Sequence, residues 1–193
     1  RPVTEAESFE PVSDYNKTKL VGERVLLSFK EQMAVQIVRP ATVCGLSPRM
    51  RLDVIVNMLT AQACETGKIT AHCGARGGKR PHTHIDDLTD LYLWLLEHPE
   101  ETGPFNAGFE NLAVEEIAQT IQRHVATRVE FTEVADKRSY AVDSSSLRRA
   151  GFAPRSSVND AIREMAAAWR SGALVRKRLT INLEWMRSQG IAR

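Results

Sequence analysis

A short run dense in β-branched residues, Val35-Gln36-Ile37-Val38, leads through Arg39 into Pro40. It reads as a buried parallel strand. Strands of that kind are covered by helices on both faces, which commits the chain to an α/β layout. The flanking sequence supplies the helices. Ser13 or Asp14 caps one that runs to about Gln32. Asp53 caps a second, with Ile55, Met58, Leu59 and Gln62 on successive turns. Asp86 and Asp87 begin a third, with Leu88, Leu91, Tyr92 and Leu95 at helical spacing. Val114 to Ile121 and Val158 to Trp169 carry the same stripe. Further strands are expected at Ile69 to Cys73, Phe105 to Ala107 and Val129 to Val134, and a short helix at Asp143 to Gly151.

Composition narrows the class of function. Apolar residues make up 42% and charged residues 26% of 193, enough for a core. A net charge of +2 gives no argument for nucleic acid or for a membrane surface. No apolar run approaches ~20 residues, so no bilayer span is expected. Cys44, Cys64 and Cys73 are odd in number and lack ligand spacing, which points to reduced thiols and a cytoplasmic setting.

Tyr15 and Lys19 lie four residues apart just inside the first helix. Four residues return to the same helical face, so a phenol and an ammonium share one site. The ammonium and the helix N-terminus both favour the phenolate, which suits the phenol to acid/base work. His82 and His84 form a His-x-His, but no third ligand stands at a supporting distance, so no metal is expected.

Three blocks occur in order: Tyr15 to Glu23, Arg39 to Gly45, and Arg80-Pro81-His82-Thr83-His84-Ile85-Asp86-Asp87. Together they resemble the extended short-chain dehydrogenase/reductase family, in its NAD-dependent sugar-nucleotide epimerase/dehydratase branch. The resemblance runs from about Thr4 to Trp169. It implies an incomplete Rossmann-like doubly wound parallel sheet with a small mixed α/β C-terminal substrate-binding lobe. Residues 1–50 would be the remnant of the dinucleotide-binding domain and 51–175 the substrate lobe. Segment 74–107 could return to the sheet, and 176–193 would be a basic tail. No Gly-x-Gly-x-x-Gly is present, and the cluster Gly74, Gly77, Gly78 is not followed by a helix pattern. The chain is therefore expected to be the C-terminal part of such an enzyme, inactive by itself.

By the same resemblance Tyr15 is the acid/base and Lys19 holds the nicotinamide ribose of NAD or NADP. Pro40 and Ala41 line the nicotinamide, and Thr42 stands where relatives carry a sugar-nucleotide contact. Arg80 is the expected diphosphate contact. Arg49, Arg51 and Arg76 are weaker candidates, and all four arginines are expected at the carboxyl edge of the sheet. His84 is expected to be structural support, and Asp87 the cap of its own helix. The nucleotide-sugar substrate is the expected partner, with a homodimer formed through helix 14–32. The alternative is a non-catalytic remnant that self-associates through that helix.

Overall fold

The computed structural model describes residues 1–7, 10–11, 13–73, 78–133 and 140–191. Helix α1 (Asp14–Leu27) starts at Ser13, whose hydroxyl accepts the Asn16 N–H at 3.2 Å. It stops five residues before the expected Gln32. Ser28 caps it, and Phe29 to Met33 close as turns through bonds such as Gln32 N–H to Phe29 O. None of its residues is buried, so no packing holds the last turns in α geometry.

Strand β1 (Gln36–Pro40) runs parallel to β5 (Gly103–Ala107), with Ile37 opposite Pro104 and Pro40 opposite Ala107. After one residue, Ala41, the chain enters β2 (Thr42–Cys44) and changes partner. β2 lies parallel to β4 (Lys79–His84), which pairs antiparallel with β6 (Glu110–Ala113). A third ladder joins β3 (Lys68–Cys73) in parallel to β7 (Arg128–Glu133). Gly108 makes the partner change possible. A Cβ there would sit 2.9 Å from Pro81 Cβ and 3.1 Å from Ala41 Cβ, so only glycine lets these segments close.

The helices are α2 (Ile55–Thr66), α3 (Ile85–Glu97), α4 (Val114–His124), α5 (Ser145–Ala150), α6 (Val158–Arg170) and α7 (Asn182–Ser188). One core gathers Val56 and Leu59 of α2, Ile69 of β3, Ile117 and Ile121 of α4, and Ile162 of α6. A second joins Leu88, Leu91 and Leu95 of α3 to Phe105 and Leu147. A third seats the C-terminal segment, packing Leu174 and Ile181 on Met50, Leu52 and Met165. Among the described residues no helix is long and apolar enough to cross a membrane.

Two caps differ from the sequence reading. Asp53 does not cap α2, whose N-cap is Val54. Its carboxylate instead accepts from Arg51 Nε at 2.9 Å and from the Asn182 N–H at 3.0 Å. Asp87 does not cap α3 either. His84 does so, its Nδ1 accepting the Asp86 N–H at 3.1 Å. Each aspartate is drawn away by unsatisfied backbone donors on a distant segment.

Candidate active site

Tyr15 and Lys19 sit on the exposed side of α1, with Lys19 Nζ 5.4 Å from the centre of the Tyr15 ring. Tyr15 is 69% exposed, so the phenol opens to solvent rather than into a core. The helix is tied to β1 through its second half. Glu23 takes Arg39 as a fork, Nε to Oε2 at 3.0 Å and Nη2 to Oε1 at 2.5 Å. Arg39 also donates to the Glu5 carbonyl at 3.2 Å. The Glu5 carboxylate in turn accepts the Asn106 N–H at 2.9 Å and the Ser146 hydroxyl. In the sequence Glu23 and Arg39 stand in separate motifs that nothing joins; the one signal of the pair is an arginine inside an apolar strand, which needs a partner.

The carboxyl end of β1 forms one edge. Pro40 is exposed, and Ala41 and Thr42 are half-buried. Ala41 is held there by its N–H to Ala107 O at 2.9 Å. Arg80 lies two residues before His82, which is level with Thr42, so it stands at the amino end of β4. That places Pro81 at the switch beside Ala41 and Gly108, with Arg80 one residue before it. An open cavity of ≈ 300 Å³ adjoins Gly108, lined also by Asn111, Val142, Ser144 and Arg148.

Arg49 and Arg51 are not brought to this edge. They follow Cys44, at the opposite end of β2. The expectation of one shared carboxyl edge is corrected for Arg80: it lies at the amino end of β4, whereas Arg49 and Arg51 follow the carboxyl end of the parallel strand β2. Arg49 is also engaged, donating to Leu179 O at 2.8 Å and Asn182 Oδ1 at 3.0 Å beneath the Trp185 ring at 5.6 Å. Arg51 pairs with Asp53 at 2.9 Å. Arg76 lies outside the described residues.

A second polar cluster lies under α6. His84 Nδ1 takes a backbone N–H, so Nε2 carries the ring proton and faces Glu164 Oε2 at 3.4 Å. Asp86 completes a group of three potential metal ligands. In this tautomer, however, His84 has no lone pair left for a cation. Glu110 Oε1 accepts the Val158 N–H at 2.5 Å, and burial pushes its carboxyl above the usual range. Burial, aided by the charges of Glu110, Asp87 and Glu164, pushes the Cys44 thiol up to about 12. Cys44 is thus an inert core thiol.

This α/β arrangement with parallel strands is a Rossmann-like fold. The chain belongs to the NAD dependent epimerase/dehydratase family, whose sequence model matches residues 1–108. An ADP-L-glycero-D-manno-heptose-6-epimerase of Alkalilimnicola ehrlichii is 26% identical over 111 residues, 53% of this chain and 35% of that protein. Among solved structures, RMD from Pseudomonas aeruginosa complexed with NADPH superposes with a TM-score of 0.75 at 17% identity. That match covers 89% of this chain and 61% of the other. A variant UDP-glucuronic acid 4-epimerase from Bacillus cereus, in complex with NAD and a fluorinated UDP-glucuronic acid, superposes with a TM-score of 0.72 at 24% identity. It covers 89% of this chain and 57% of the other. The chain thus spans about a third of the curated relative and under two thirds of these structural neighbours.

Proposed function

We propose that this chain carries the proton-transfer and substrate edge of an NAD(P)-dependent nucleotide-sugar epimerase or dehydratase. The observation that supports this most is the exposed Tyr15–Lys19 pair on a helix clamped to the end of β1. An ammonium that can donate to a ribose and, one turn away, a phenol that can exchange a proton with a sugar hydroxyl fit the nicotinamide end of the cofactor. When bound, NAD or NADP supplies hydride transfer. Lys19 holds the ribose, and Pro40 and Ala41 shape the surface against the ring. Tyr15 takes the proton from a sugar hydroxyl and returns it, with the Lys19 ammonium over its ring. Thr42 and Arg80 face the sugar nucleotide, with the Arg80 guanidinium suited to its diphosphate. A nucleotide sugar is the substrate class that the heptose epimerase and the UDP-sugar enzyme among the similar proteins support.

The test is turnover of a panel of nucleotide sugars by the full-length protein its gene encodes, with NAD+ or NADP+. Conversion that Tyr15→Phe abolishes supports the reading; conversion untouched by that change overturns it.

A second reading, self-association through α1, is favoured by a specific observation. Val21, Val25, Leu26, Phe29 and Met33 are 43–58% exposed along α1 and the turns after it. Sedimentation velocity of the chain decides it: a dimer that Val25→Glu dissociates supports this reading, and a monomer at all concentrations removes it.

A further inference from the structure

We infer that Glu23 and Arg39 are positioning residues that set where the Tyr15 phenol and Lys19 ammonium stand relative to the end of β1. This rests on the role given to Tyr15 and Lys19 above. Tyr15, Lys19 and Glu23 are spaced i, i+4, i+8, so they form one stripe on α1. The stripe runs from an exposed phenol at one end to a carboxylate enclosed at the other. The Glu23 and Arg39 side chains are 14% and 16% exposed, the most enclosed carboxylate–guanidinium pair among the described residues.

No residue of α1 is buried, and the Glu23–Arg39 fork ties this face of the helix to β1. Two parallel N–H···O bonds define an orientation as well as a distance. Arg39 itself is set by its strand: it lies between Val38 and Pro40 and opposite Asn106. Its third contact, to Glu5 O, joins it to the bonds that Glu5 makes with Asn106 and Ser146. A rigid sheet edge therefore dictates the azimuth of the stripe, and with it the approach of phenol and ammonium to anything seated over Pro40 and Ala41.

The experiment compares Arg39→Ala, Arg39→Lys, Glu23→Gln and the swap Glu23→Arg/Arg39→Glu in the full-length protein. Control is Arg176→Ala, which breaks a distant exposed pair with Glu65 at 3.0 Å. The readouts are kcat, KM, Tm and amide hydrogen exchange of residues 14–27. A misplaced reactive group costs about a hundredfold in rate. Arg39→Ala and Glu23→Gln should lower kcat by about that factor, with KM for the nucleotide sugar within about twofold. Arg39→Lys should fall between, the swap should recover part of the loss, and the control should match the parent. Exchange should quicken in α1 and not in β1 or β5. If Arg39→Ala fails to fold, Glu23→Gln and Arg39→Lys carry the test. Unchanged kcat in Glu23→Gln, or a loss that follows Tm rather than α1 exchange, overturns the inference. Should the parent protein turn over no nucleotide sugar, the functional reading fails on its own. Exchange then decides the clamp: unchanged α1 protection refutes it, and selective opening upholds it.

Discussion

The carboxylate of Asp87, 1% exposed, accepts the backbone N–H groups of Arg155 at 2.7 Å and Ser156 at 3.1 Å, 68 and 69 residues further along the chain. It fastens the entry of α6 to the first turn of α3. Removing it strands two donors in the interior, at about 1–3 kcal/mol each. Asp87→Ala should lower unfolding free energy by roughly 2–4 kcal/mol, and Asp87→Asn by about half as much, since its amide keeps one acceptor. Urea melts at neutral pH measure both. A loss under ~0.5 kcal/mol in Asp87→Ala would deny the fastening role.

His82 predicts an acid-sensitive fold. Burial pushes its imidazole from 6.5 down to about 4, opposed by a hydrogen bond with the Arg80 backbone and aided by the Arg80 charge. The folded state then binds fewer protons than the unfolded state between those values. Stability is fully present above 6.5 and declines as pH falls toward about 4. The whole decline is on the order of 3 kcal/mol from this residue. His82→Gln should flatten the slope of ΔG against pH in that window. An unchanged slope would mean that other groups carry it.

Arg49 anchors the C-terminal segment through Leu179 O, Asn182 Oδ1 and the Trp185 ring. Arg49→Ala should free residues 178–188 at about 1–2 kcal/mol of local stability. Faster amide exchange in that segment alone, with α2 and α6 still protected, is the expected result. Arg49→Lys should restore little, because an ammonium cannot span two acceptors and stack on an indole.

Tyr15→Phe and Arg80→Ala should separate in kinetics. The first removes the proton carrier and should cut kcat by about 10²–10⁴-fold with KM little changed. The second removes ground-state binding and should raise KM while kcat holds. Steady-state rates on the full-length protein check both. An unmoved KM in Arg80→Ala would take that arginine out of the site.

Periodicity and turn chemistry made most elements legible. The stripes of Val114 to Ile121 and Val158 to Trp169 became α4 and α6, because apolar residues at helical spacing bury one face wherever the helix packs. Gly151 ended its short helix in the left-handed region, as glycine after a helix does. The end of α1 was less legible, since nothing local distinguishes a helical turn from the looser turns at Phe29 to Met33. The place of Arg80 was not legible either: it lies inside β4, at its amino end, while Arg49 and Arg51 follow the carboxyl end of β2. Sequence spacing does not reveal where a strand begins when a basic loop runs straight into it.

By itself the sequence determined the α/β class and the placement of Tyr15 and Lys19 on one helical face. Both follow from short-range geometry, namely residues per turn and side-chain patterning. Tertiary structure alone decided that Glu23 meets Arg39, that Asp87 serves α6 rather than its own helix, and that Arg49 is tied to the C-terminal segment. Those pairings join groups far apart in the chain. They arise where burial leaves backbone donors and charges in need of partners, and which partner is within reach depends on how the strands and helices assemble.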